Sequence, residues 1–175
     1  MAAGNTRADT VLLGKDERGY FIAARGSIRA VLCYPLREEL LDRLDGTADI
    51  PGVFVDLADC RYMDSTFIGL LVAIDKKLQN TSGGRLRVLR PSPECLELFQ
   101  QIGLQDFLLM EEQGMALPAD MSELAEESEK PGADFVLKAH EALMETSEEA
   151  RKKFGLLKEM LERKLRGGNP PQDTP

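Results

Sequence analysis

The 175-residue sequence contains no tryptophan, one histidine, three cysteines and only 6% aromatic residues. Cys33, Cys60 and Cys95 are odd in number and widely spaced in apolar or helical context. They read as reduced packing residues, against a metal or disulfide role. The longest apolar runs, such as FIGLLVAI at 67–74, fall well short of the roughly 20 residues that cross a bilayer. The opening MAAGNTRADT has no apolar signal core, so a cytoplasmic protein without direct membrane insertion is expected. No nucleophile-elbow, Walker or zinc pattern occurs. The single histidine, His140, lies far in sequence from Ser65 and reads as a surface position on a helix. A non-enzyme with no metal or cofactor is the expectation.

What the chain has is the makeup of a globular protein, with 43% hydrophobic and 30% charged residues. Its length suits one domain plus an appendage. The net charge of -8 is unevenly placed. Residues 1–110 hold 13 Lys and Arg against 15 Asp and Glu, residues 111–149 hold 2 against 12, and residues 150–175 hold 7 against 3. An acidic stretch followed by a basic one marks the appendage as electrostatically distinct. An acidic chain with no basic and aromatic patch argues against nucleic acid as a partner.

Period and punctuation divide the first two thirds into short elements. Residues 19–32, GYFIAARGSIRAVL, read as two strands with Gly26 and Ser27 at the bend. YPLREELLDRLDG reads as a helix with Pro35 in its first turn and Gly46 after its end. Val53, Phe54, Val55 and Leu57 form a strand buried on both faces. The period then changes: Phe67, Leu70, Leu71, Ile74 and Leu78 make one apolar helical stripe, opposite Asp75, Lys76, Lys77 and Gln79. RLRVLRP is another strand, Ser92 with Pro93 and Glu94 opens a third helix, and DFLLM closes the pattern as a strand. The order β-β-α-β-α-β-α-β implies a mainly parallel or mixed sheet with helices against it over about residues 10–112.

The remainder carries no strand signal. PADMSELAEESEK reads as a short acidic helix, and residues 133–168 as one long helix or two. Phe135, Ala139, Ala142 and Leu143 lie on one stripe, and Phe154, Leu157, Leu161 and Leu165 on another. Thr146 with Glu149 matches a capping box and places a break near 146. A helical extension over 118–166, packed on the domain, paired in a homodimer or recruiting a further partner, and a flexible tail over 167–175 are expected.

The junction YMDSTFIG is where a strand feeds the striped helix, the place at which α/β proteins put working residues. Local pattern alone makes Ser65 a helix cap. A phosphate there would be stabilised by the helix N-terminus and would add nearly two negative charges beside Asp64.

Together with the element order, VFVDLADCRYMDSTFIGLLVAI resembles the STAS domain family, named for sulphate transporters and anti-sigma-factor antagonists. Val55, Asp56 and Leu57 match the family's apolar-Asp-apolar strand. Asp64, Ser65 and Thr66 match the start of its Asp-Ser-Ser/Thr-Gly-Leu-Gly motif, with Phe67 and Ile68 in place of the first glycine and the leucine, and Gly69 keeping the second glycine. The resemblance spans residues 15–110. It implies a STAS-like mixed sheet with packed helices, and a phosphorylation-switched module that binds an anti-sigma factor acting as a serine kinase. By the same resemblance Ser65 is the phosphoacceptor, reversed by a serine phosphatase. Asp64 shapes its surroundings, and Thr66, Phe67, Ile68 and Leu70 lie near the docking surface. The alternative is a non-phosphorylated STAS subunit or scaffold of a lipid or anion transport complex.

Overall fold

The computed structural model describes residues 8–46, 49–125 and 131–167. Strand β1 (Thr10–Asp16) turns back into β2 (Gly19–Ile28), followed by helix α1 (Ala30–Asp45) and strands β3 (Val53–Asp56) and β4 (Cys60–Met63). Helix α2 (Ser65–Thr81), strand β5 (Leu86–Leu89), helix α3 (Pro93–Gln101) and strand β6 (Leu109–Glu111) come next. A two-residue strand β7 (Ser122–Glu123) and helices α4 (Ala133–Met144) and α5 (Glu148–Leu165) complete the described order. The strands lie as β6-β5-β3-β2-β1-β7, with β4 paired to β2. Pairs β1–β2 and β1–β7 are antiparallel and the others parallel. The sheet is therefore mixed, as the sequence implies.

The alternation along β3 explains burial on both faces. Val53 and Val55 join the main core with Ile22, Val88, Phe67, Leu71 and Ile74. Phe54 points the other way and stacks on Phe21 at 4.7 Å between centroids. That second face, completed by Leu89, is covered by Met115, Leu117 and Met121 from the chain after β6.

Several sequence expectations need correction. The two strands placed within 19–32 are one ten-residue strand. Gly26, with φ of +78, makes a bulge in it rather than a reversal. There β2 changes partner, pairing with β3 through Tyr20, Phe21, Ile22 and Ala23, and with β4 from Gly26 onward. Pro35 lies inside α1, because the helix already begins at Ala30. No helix forms at 118–125; Ser122 and Glu123 pair instead with Leu13 and Leu12, and Leu124 N–H donates to the Val11 carbonyl. The open edge of β1 offers hydrogen bonds that outweigh the weak helical pattern of this acidic stretch. The rest of that expected helix, 126–130, and the tail from 168 onward lie outside the described residues. The break near 146 is present, but the cap is Ser147, whose hydroxyl accepts from Ala150 N–H at 3.0 Å. Thr146 donates to the Leu143 carbonyl instead. Ser92 and Pro93 open α3 as expected. The three cysteines are buried free thiols.

Asp75, expected on the polar face of α2, is fully buried. Its carboxylate accepts from Leu86 N–H at 2.8 Å, from Arg85 Nε at 2.9 Å and from Gln79 Nε2 at 2.9 Å. It thus fastens the middle of α2 to the start of β5. Asp75→Ala leaves the Leu86 amide and Arg85 without their acceptor, and is expected to cost about 2–4 kcal/mol in urea unfolding. A loss within 0.5 kcal/mol would contradict that assignment.

Candidate functional site

Strand β4 ends at buried Met63, and Asp64 N–H donates to the Ile28 carbonyl at 3.0 Å, setting the angle at which the chain enters α2. Asp64, not Ser65, is the N-cap. One carboxylate oxygen accepts from Phe67 N–H at 2.9 Å, inside α2. The other accepts from Ala30 N–H at 2.8 Å, the first residue of α1. Arg29, the cap residue of α1, makes no side-chain capping bond. A single carboxylate therefore satisfies an otherwise unpaired donor at each of two helix N-termini, both of which favour negative charge.

Ser65 is the first residue of α2 and is half-buried. Its hydroxyl lies 2.8 Å from Nε2 of His140. His140 Nδ1 lies 2.7 Å from the Val136 carbonyl. A carbonyl only accepts, so Nδ1 carries the proton, and in the neutral ring Nε2 accepts from the Ser65 hydroxyl. Phe154 of α5 closes over the imidazole edge-on at 5.1 Å between centroids. The surface position expected for His140 is thus overturned: its exposure is 1%. The reason is that α4 is covered on two sides, by α2 and by α5, which a single apolar stripe in the sequence does not reveal. Burial pushes the imidazole below its ordinary pKa, against the opposing pull of the Val136 carbonyl and the Asp64 charge.

The same side of α2 meets α4 twice more. A Cβ at Gly69 would collide with the main-chain carbonyl of Ala139, so the glycine lets the two backbones approach. Lys76 Nζ donates to the Ala142 carbonyl at 3.1 Å and pairs with Glu145. Ser65, Gly69 and Lys76 follow helical spacing and define the seam. Proton transfer from Ser65 to His140 is open geometrically, yet an electrophile approaching the hydroxyl along the line of the imidazole meets α4.

Asp64, Ser65 and Thr66 are adjacent as expected, but Thr66, Phe67, Ile68 and Leu70 are all buried, at 5% exposure or less. They present no open docking surface in this conformation, because the sheet, α1 and α4 all pack on α2. What stays open at the junction is Arg29, whose guanidinium lies over the ring of Tyr62 at 5.5 Å. Sequence reasoning passed over this pair; Tyr62, an aromatic two residues before Asp64 on a short strand, is the signal. Asp56, the motif aspartate of β3, is structural here: it accepts from Ala58 N–H at 2.9 Å and pairs with Arg90.

Comparison with known proteins bears on the family and the fold. The family model described as Mlab, STAS domain matches residues 12–111. The anti-sigma-B factor antagonist of several Staphylococcus aureus strains is 39% identical over 84 residues, 47% of this chain and 74% of that protein. Among solved structures, the anti-sigma factor antagonist SpoIIAA in its unphosphorylated form is similar with a TM-score of 0.51 and 20% identity, over 58% of this chain and 87% of that one. The last likeness bears on the fold alone. Helices α4 and α5 lie beyond the residues that the family model matches.

Two measurements probe the junction. Asp64→Ala removes both caps and should destabilise the protein by about 1–3 kcal/mol in chemical denaturation; a neutral substitution would contradict the shared-cap geometry. His140, being the only histidine, gives an unambiguous NMR titration, expected with a midpoint below about 6.5. As pH falls the unfolded chain takes up this proton first. The stability that neutral His140 contributes is therefore complete above about pH 6.5 and is lost as pH drops through and below it. His140→Gln should remove that part of the pH dependence; a midpoint at or above 6.5 would contradict the burial.

Proposed function

The chain belongs to the STAS domain family, and on that premise we propose that it is a phosphorylation-switched binding module of the anti-sigma-factor antagonist type, with Ser65 as the phosphoacceptor. The observation that carries the reading is the junction itself: a serine hydroxyl at the first position of α2, beside a carboxylate that joins two helix N-termini. The 39% identical relative, an anti-sigma-B factor antagonist, supports it. The partner is an anti-sigma factor that also acts as a serine kinase, with a serine phosphatase as the reversing enzyme.

In the forward step the Ser65 Oγ–P bond forms while the bond from the γ-phosphorus of ATP to its bridging oxygen breaks. ADP leaves, and the hydroxyl proton passes to a base. The product carries close to two extra negative charges at the mouth of the site. Helix dipoles and Arg29 moderate that charge within the protein, while Asp64 adds to the negative field that a partner meets. Thr66, Phe67, Ile68 and Leu70 then serve the docking surface from beneath, fixing the shape of the α2 N-terminal turn. Asp64, Ser65 and the exposed Arg29–Tyr62 pair form its edge.

Incubation with ATP and candidate kinases, followed by mass spectrometric mapping, should place phosphate on Ser65. Ser65→Ala loses one hydrogen bond, about 0.5–1.5 kcal/mol, stays folded and keeps binding the partner. Ser65→Asp weakens the complex at least about tenfold, through like-charge repulsion. If the two variants bind equally well, the charge switch is wrong. Failure of every kinase to modify Ser65 favours the subunit or scaffold reading.

A further inference from the structure

The geometry points to α4 and α5 as an intramolecular lid: this chain's own C-terminal helices occupy the α2 face in the resting state, latched by the Ser65–His140 hydrogen bond, and must undock before that face can serve a partner. The inference deepens the proposed function and rests on its reading of α2 as a docking face.

Three observations carry it. First, α4 and α5 contribute no strand to the sheet. They are joined to the domain by side-to-side packing, so their departure leaves every strand pairing intact. Second, the seam is built for helix-on-helix contact with polar fastenings at intervals. Ser65 meets His140 at one end, Gly69 admits the Ala139 backbone in the middle, and Lys76 holds the Ala142 carbonyl toward the other end. Beyond the hairpin's turn, Ser147 donates to the Ile102 carbonyl at 3.0 Å. Third, the latch includes the serine that the proposed switch would modify. A hydrogen-bonded gap of 2.8 Å between Oγ and Nε2 has no room for a phosphorus and three further oxygens. The ring cannot yield locally, since Nδ1 is fixed to Val136 and Phe154 backs it. With Oγ directed at Nε2 as it is here, phosphoserine at 65 and a docked α4 are mutually exclusive.

The consequence is a three-state protein. Closed and unmodified, the α2 face is occupied by the chain itself. Open and unmodified, it is free to bind. Open and phosphorylated, it is exposed but carries the repelling charge.

The test uses the full chain and hydrogen–deuterium exchange read by mass spectrometry, on wild type, on protein with phosphoserine installed at 65 by codon suppression, and on Gly69→Ala. Alanine is a better helix former than glycine, so Gly69→Ala leaves α2 sound while its methyl group pushes α4 away. In both altered proteins the amides of α4 should exchange at least about tenfold faster, with β2, β3 and β5 as protected as in wild type. Unchanged protection of α4 in either protein overturns the lid. Loss of protection from the sheet together with α4 also overturns it, since the helices would then be part of one cooperative core. Neither arm needs a kinase or partner. A failure of phosphotransfer leaves this result standing, and a docked α4 in the phosphoserine protein sinks the lid while leaving the switch untouched.

Discussion

The arrangement depends on one carboxylate shared between two helices. Asp64 accepts from the first amide of α1 and from an amide in the first turn of α2, 34 residues apart in sequence for the former. Helix N-termini concentrate unpaired donors and partial positive charge, so bringing two together without an anion leaves amides unsatisfied and dipoles opposed. Arg29 cannot supply an acceptor for α1; Asp64 does it from another element. This fixes the position of the α2 start relative to α1, and with it the direction in which the next residue, Ser65, presents its hydroxyl.

From that fixed point the rest of the seam follows. Ser65 meets His140 because α2 runs along α4 at a distance set by Gly69 against Ala139. Any side chain at 69 would push the helices apart. His140 in turn is held by Val136 within its own helix and by Phe154 from α5. The Val136 and Phe154 contacts of the imidazole both belong to the hairpin itself. The serine is therefore one of the points at which the hairpin's polar groups touch the domain, beside Lys76 with Ala142 and Ser147 with Ile102, and a change of charge or volume there bears directly on α4.

Much of the framework was legible in the sequence because it is local. The stripe of Phe67, Leu70, Leu71, Ile74 and Leu78 gave α2 its length and buried face, and Ser92 with Pro93 marked the start of α3. Both rest on spacing within a few turns. The choice between Asp64 and Ser65 as the cap was not legible: both residues cap well, and the decision comes from the Ala30 amide, which only the folded chain brings near. Asp75 carried the same ambiguity, since a carboxylate among lysines reads as solvated until the Leu86 amide and Arg85 are seen to close around it. His140 was misplaced for a related reason. Its partner lies 75 residues away, and an isolated helix pattern cannot show that two different helices cover it.

Where the energy of a modification at Ser65 would fall can be argued from the same contacts. The new charge would sit at two helix N-termini, an environment that accepts anions, and the exposed Arg29 is the residue that precedes α1. The domain itself thus has local means to tolerate a phosphate. Asp64 opposes it, yet its carboxylate accepts hydrogen bonds from two backbone amides and cannot move away without uncapping both helices. The hairpin is a neighbour that can move without breaking a strand pairing and without uncapping α1 or α2. Strain that the sheet and the caps refuse would therefore pass to the α2–α4 seam, where separation would cost a few polar contacts and the apolar cover of Phe135, Leu143 and Phe154. On the proposed reading, a covalent mark of this kind would do two things at once: it would uncover the face and set the charge with which that face meets whatever comes next.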